Sequence, residues 1–169
     1  LMKKSYNILK DHPVNLARRA KGLNEANSIW LWGEGRKPAL EDFKAKNGVS
    51  GCVVSAVDLL KGIGICGGMD TPNVPNTTGY IDTDFEAKTG AGIEAFKNGC
   101  DLVYLHIEAP DECGHRGEAE NKVKAIELIE ERTLKLMLSY LENCGDDYRI
   151  LIMPDHPTPL AIKTHTRDA

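Results

Sequence analysis

The side chains best equipped for chemistry in this chain fall in two short stretches. One is Met153-Pro154-Asp155-His156-Pro157, with His165 nine residues beyond His156; the other is Ala109-Pro110-Asp111-Glu112-Cys113-Gly114-His115. Among these residues Asp111, His115, Asp155, His156 and His165 are five candidate metal ligands, their carboxylates and imidazoles being donors that suit zinc, manganese or a similar divalent ion. Each stretch follows an apolar run that reads as a parallel strand. Both loops can therefore emerge at one edge of one sheet, outside the carboxyl ends of the strands, where open α/β sheets bind their ligands.

Taken singly, each of these residues also has an ordinary structural role. Asp111 can cap the helix that follows it, with His115 merely exposed. Asp155 and His156 are adjacent, and neighbours in an extended backbone point opposite ways, so both serve one site only through a turn of the kind Pro154 and Pro157 enforce. What favours a joint site is that three of the five histidines lie in loops after strands, where function concentrates. His106, inside a predicted strand, reads as a hydrogen-bonded core histidine, although Glu108 just beyond it can orient a metal-bound imidazole. Arg36, Lys37 and Lys61 lie in or beside loops; they can hold an anionic substrate or simply be solvated. Gly62-Ile63-Gly64-Ile65-Cys66-Gly67 matches a dinucleotide-binding spacing, but it follows a predicted helix and opens into a Pro-containing loop, the wrong setting for that motif.

The elements that must position these residues follow from periodicity. Ser5 to Leu9 and Asn15 to Lys21 have helical spacing, broken by Asp11-His12-Pro13 and ended by Gly22. Ser28 to Trp32 reads as a short strand, Ala39 to Lys46 as a short helix, Gly51 to Ala56 as a buried strand and Val57 to Lys61 as a helix. Residues 62 to 79, rich in glycine, read as loop. Asp84 to Lys97 is helical, Leu102 to Ile107 a fully buried parallel strand, and Glu118 to Glu142 the longest helix, with Val123, Ile126, Ile129, Met137, Tyr140 and Leu141 on its apolar stripe. Tyr148 to Met153 closes the series as another buried strand. Alternating strands and helices predict an α/β fold with a parallel sheet.

Composition narrows the class. The 169 residues are 41% hydrophobic and 27% charged, with 25 acidic against 21 basic residues and a formal net charge of -4. There is no basic block to favour nucleic acid, and no apolar run near the roughly 20 residues that a bilayer requires. Five cysteines without a Cys-x-x-Cys pair argue against a disulfide framework and for a reducing, cytoplasmic setting. The chain begins Leu1-Met2-Lys3 and stops at Arg167-Asp168-Ala169, directly after a candidate ligand, and reads as a fragment.

Four stretches together resemble the archaeal-type cofactor-independent (2,3-bisphosphoglycerate-independent) phosphoglycerate mutases of the alkaline phosphatase superfamily. They are Trp30-Leu31-Trp32-Gly33-Glu34-Gly35-Arg36-Lys37-Pro38, Ser55-Ala56-Val57-Asp58-Leu59-Leu60-Lys61-Gly62-Ile63-Gly64, the run from His106 to His115, and Pro154-Asp155-His156-Pro157-Thr158-Pro159. The resemblance covers essentially the whole chain, and a proposed homoserine kinase branch of the family is similar too. It implies two divalent metal ions, typically Mn2+ with Zn2+ or Mg2+ as variants. Asp111, His115 and His165 match the ligands of one ion, and Asp155 and His156 match ligands of the second. An aspartate and a nucleophilic Ser or Thr that complete the second site in the family have no matching position here. Arg36 resembles a substrate-binding arginine and Lys61 a lysine beside the phosphoryl group.

The implied architecture is the C-terminal half of an alkaline phosphatase-like core sheet flanked by helices. Residues 1–48 correspond to the end of an inserted cap domain with its return linker, and residues 49–169 to the metal-binding core. The implied function is interconversion of 3-phosphoglycerate and 2-phosphoglycerate through a phosphoenzyme, by a longer protein whose missing N-terminal part is this chain's partner, the 169 residues being inactive alone. A homoserine-directed phosphotransferase, a metal-binding module without catalysis, and a nucleotide-binding protein using the glycine stretch are the other readings. The expected partner is a small phosphorylated substrate, not nucleic acid or membrane.

Overall fold

The computed structural model describes residues 1–167; Asp168 and Ala169, part of the stretch that reads as a cut end, lie outside the described residues. The chain divides into two compact units, Leu1–Pro38 and the residues from Ala39 on.

In the first unit, helix α1 (Met2–Leu9) and helix α2 (Pro13–Ala20) are separated where the sequence predicts a break. Pro13 opens α2, where its missing N–H costs nothing, and the His12 imidazole accepts from Val14 N at 3.3 Å. The buried Asn15 carboxamide holds the unit together. It donates to the carbonyls of Leu9 (2.7 Å) and Ala26 (3.1 Å) and accepts from Ala26 N (2.9 Å). Ser28 to Trp32 forms no strand; Trp30 and Trp32 are exposed, and Ile29 N donates to Ser5 Oγ rather than to a ladder partner.

The second unit begins with α3 (Phe43–Asn47), shorter than the sequence suggests because Asp42 caps it by accepting from Ala45 N. Strand β1 (Gly51–Val54) is buried along its length and pairs in parallel with β2 (Leu102–Leu105), in the register Gly51↔Leu102 through Val54↔Leu105. Asp70 flanks β1 on its other side, exchanging backbone bonds with Gly51 and Val53. Between the strands lie α4 (Asp58–Cys66) and α5 (Phe85–Lys97), the latter capped by Asp84. After β2 come α6 (Ala109–Arg116), α7 (Ala119–Ile129), a π turn (Glu130–Leu134) and α8 (Lys135–Asn143). Phe85, Ala109, Ala125 and Leu128 form the core, with Ile81, Ile107 and Ile129 against it. The five cysteines are free, and burial pushes the Cys52 thiol up to about 11. No helix among the described residues is long and apolar enough to cross a membrane.

Several expectations are corrected here. The glycine-rich stretch does not begin as loop: α4 runs through Gly62 and Gly64, so the Gly-x-Gly-x-x-Gly spacing lies mostly within a helix, where it forms no phosphate-cradling turn. β2 is not fully buried; its residues alternate, with Leu102 and Tyr104 exposed, while its parallel neighbour β1 is buried along its length. Tyr148 to Met153 is neither strand nor buried. Among the described residues it has no ladder partner, and Leu151 is 81% exposed.

The apolar stripe of the long helical segment is also out of phase with the sequence reading. Its buried positions are Ala125, Leu128, Thr133, Met137 and Leu141, while Val123 and Ile126 are exposed. The five-residue step from Leu128 to Thr133 spans the π turn, which inserts one extra residue into the helical repeat. Extrapolating an unbroken 3.6 period back from Met137 lands on Ile126 and Val123; the insertion moves the true stripe by one position.

Candidate metal centre

Asp111 and His115 stand on α6, a helix and not the loop the sequence suggests. Pro110 starts it, Asp111 and Glu112 occupy its first turn, His115 and Arg116 its last, and Gly117 ends it at φ 73°. That charge order complements the helix dipole. Four-residue spacing places Asp111 and His115 on one face, with Asp111 Oδ2 and His115 Nε2 3.3 Å apart. His165 reaches the same point from the C-terminal stretch. Its Nε2 lies 3.2 Å from Asp111 Oδ1 and 3.0 Å from His115 Nε2. His156 joins from the other loop, its ring centroid 3.8 Å from that of His165, its Nδ1 4.0 Å from Asp111 Oδ1 and its Nε2 3.3 Å from Asp155 Oδ2. The structure thus brings all five candidate ligands together.

Chemistry of the donor set fits a cation. Asp111, His115 and His165 each offer one ligand atom, all within 4.8 Å of one another. Four ligands placed tetrahedrally at about 2.0–2.1 Å from a zinc-sized ion stand about 3.4 Å apart, close to the 3.0 Å between the two imidazole nitrogens and the 3.2 and 3.3 Å from them to the two oxygens of Asp111. His115 Nδ1 lies 3.0 Å from the Lys163 carbonyl. A carbonyl only accepts, so Nδ1 is the donor there and Nε2 is the nitrogen turned toward Asp111 and His165, the orientation a metal-bound imidazole adopts.

Burial, then the carboxylates of Glu112 and Asp111, raises the Glu108 carboxyl above its usual range. Lys88 on α5 is 1% exposed, and burial lowers its ammonium from the usual value; its Nζ donates to the Thr78 carbonyl at 3.3 Å. His106 shares a 3.3 Å hydrogen bond with the buried Ser55 hydroxyl, which also accepts from Val57 N. Burial lowers the His106 pKa below its usual 6.5. A depressed imidazole binds fewer protons folded than unfolded, so its stability contribution is full above about 6.5 and declines as pH falls toward the folded value. His106→Asn, which keeps a partner for Ser55, is expected to flatten the fall in urea stability between pH 7.5 and 5.5; an unchanged slope counts against it.

Lys61 lies in α4, its ammonium 3.7 Å from the Asp58 carboxylate. Arg36 belongs to the first unit, in a stretch without helix or strand, and is exposed.

The chain matches the family model described as the metalloenzyme superfamily over residues 10–169. It belongs to the metalloenzyme superfamily. Divalent metal ions go with that membership, and the parallel α/β arrangement agrees with it. Among its curated relatives, the 2,3-bisphosphoglycerate-independent phosphoglycerate mutase of Methanosarcina acetivorans is 51% identical over 168 residues, covering 99% of this chain and 42% of that protein. A probable 2,3-bisphosphoglycerate-independent phosphoglycerate mutase of Geobacter sulfurreducens is 50% identical over 166 residues, covering 98% and 41%. The solved structure of the PH0037 protein from Pyrococcus horikoshii superposes with a TM-score of 0.71 at 30% identity, over 97% of this chain and 42% of that one. The chain therefore spans about two fifths of the length of the relatives it matches.

Sequence reasoning missed three contributors to this candidate centre. Thr158 donates a short hydrogen bond from Oγ1 to Asp111 Oδ1. Lys122 of α7 donates from Nζ to the Pro110 and Thr158 carbonyls, both at 3.0 Å. The Lys163 carbonyl fixes His115. Only Thr158, set between Pro157 and Pro159, carried a signal in its flanking residues.

Proposed function

We propose that the full-length protein is a metal-dependent phosphoglycerate mutase that interconverts 3-phosphoglycerate and 2-phosphoglycerate through a phosphoenzyme. The observation that carries this reading is the convergence of Asp111, His115 and His165, with the His115 ring oriented by Lys163 O. Support comes from the relatives named as mutases at about half identity along the whole chain. In this reading Asp111, His115 and His165 hold one ion, Mn2+ by preference, while Asp155 and His156 supply part of the shell of a second. Bound divalent ions lower the pKa of an attacking hydroxyl and offset charge on the phosphoryl group in transfer. Lys61 and Arg36 bind the anionic oxygens of a small phosphorylated substrate. Residues 1–48 are the end of a cap domain with its return linker, which includes α3, and residues 49–169 the C-terminal part of the core, in a cytoplasmic protein. The nucleophile is supplied by the N-terminal part of the same protein.

Phosphorus resonances of the full-length protein with Mn2+ and 3-phosphoglycerate test this. Appearance of 2-phosphoglycerate is expected, with none formed by the 169 residues alone. Transfer to homoserine from a phosphoryl donor, with 3-phosphoglycerate left unchanged, would replace the mutase reading.

A further inference from the structure

Thr158 touches the candidate centre without offering it a ligand. It is 5% exposed, and its hydroxyl meets two site residues: it donates to Asp111 Oδ1 and lies 3.4 Å from His156 Nδ1. A hydroxyl has one proton to give and lone pairs to accept with. Because that proton goes to the carboxylate, the hydroxyl faces His156 as an acceptor. Nδ1 of His156 is then the donor in that contact, and Nε2, 3.3 Å from Asp155 Oδ2, is the nitrogen turned toward a cation shared with that carboxylate.

The main chain of Thr158 is held as firmly as its side chain. Lys122 Nζ ties its carbonyl to that of Pro110, the residue before Asp111, with both bonds at 3.0 Å. One ammonium thus joins the first turn of α6 to the loop after His156, and fixes where the Thr158 hydroxyl points.

We infer that Thr158 is a positioning residue that orients the Asp111 carboxylate and selects the ligand tautomer of His156, coupling the two halves of the centre, with Lys122 as its anchor. This rests on the metal-site reading above. Groups that orient metal ligands in this way typically change affinity by about 10–100-fold when removed.

The test uses the full-length protein with Mn2+ alone as the probe. Thr158→Val keeps the shape and deletes the hydroxyl, Thr158→Ala excludes an effect of valine packing, and Thr158→Ser restores the hydroxyl. Calorimetric titration is expected to give about 10–100-fold weaker binding for the Val and Ala variants and recovery for Ser. In chelator, the imidazole nitrogen shifts of 15N-histidine-labelled protein are expected to show His156 protonated at Nδ1 in the wild type and as a tautomer mixture in Thr158→Val. Mn2+ uptake of equal affinity by the wild type and Thr158→Val, with an unchanged His156 tautomer, overturns this inference alone. Absence of uptake by the wild-type protein overturns the metal-site reading and this inference with it.

Discussion

Asp111→Asn is expected to abolish divalent-metal uptake by this chain while leaving its fold in place. Both carboxylate oxygens are engaged: Oδ1 accepts from Thr158 and lies 3.2 Å from His165 Nε2, and Oδ2 lies 3.3 Å from His115 Nε2. No other site residue touches so many of the rest. Asparagine has the same shape, so the packing of α6 survives. What it loses is the negative charge, and a neutral amide is a poor ligand for a hard divalent ion. The loss should exceed the ~10–100-fold that deleting a supporting group costs. The readout is the thermal midpoint with and without Mn2+. Metal that binds only the folded chain stabilises it by about 2.7 kcal/mol at roughly 100 times Kd. The wild-type midpoint should therefore rise with Mn2+ and that of Asp111→Asn should stay at its chelator value. Equal rises in both would remove Asp111 from the ligand set.

The chemistry of the centre was more legible in the sequence than its scaffold. Side-chain type sufficed to pick out Asp111, His115, Asp155, His156 and His165 as a candidate set, because carboxylates and imidazoles are distinctive donors wherever the chain puts them. Helices α1, α2 and α5 and strand β1 were legible from periodicity and punctuation. For α6 the signals were present and misread: Pro110 in the first turn, acids before bases and Gly117 beyond the end spell a helix. The π turn left no readable mark, since an inserted residue looks like ordinary helical sequence until the two phases are compared.

Tyr148 to Met153 failed for a different reason. Apolar β-branched runs report a tendency to pair, but a strand exists only when another backbone meets its N–H and C=O groups. The described residues supply two strands, and neither pairs with that run. The contacts that bind the site together were illegible for a related reason. Lys122 is twelve residues from Pro110 and 36 from Thr158, separations at which a lysine on an amphipathic helix looks like any solvated one.

Gly114→Ala is expected to weaken metal binding and lower stability, against the usual effect of this substitution in a helix. Gly114 lies inside α6 without a left-handed backbone, so intrinsic propensity favours alanine by about 0.8–1.0 kcal/mol. Its missing side chain, however, faces the loop that carries Thr158. A Cβ there would stand 2.6 Å from the Thr158 carbonyl oxygen and 2.9 Å from both Lys122 Nζ and Thr158 Cγ2. The nearest atom is backbone, held by Lys122, and cannot swing aside as the end of a flexible side chain would. Overpacking of this kind costs roughly 1–3 kcal/mol, enough to reverse the helical gain. Relief comes by pushing Thr158 away from α6, which takes its hydroxyl off Asp111 and draws His156 with it. Gly90→Ala in α5 is the matched control, for a Cβ there meets nothing within 4 Å. Thermal midpoints in chelator should move in opposite directions, up for Gly90→Ala and down for Gly114→Ala, and only the latter should bind Mn2+ more weakly. Should Gly114→Ala gain stability as Gly90→Ala does, with wild-type affinity, the close seating of the Thr158 loop on α6 would be wrong.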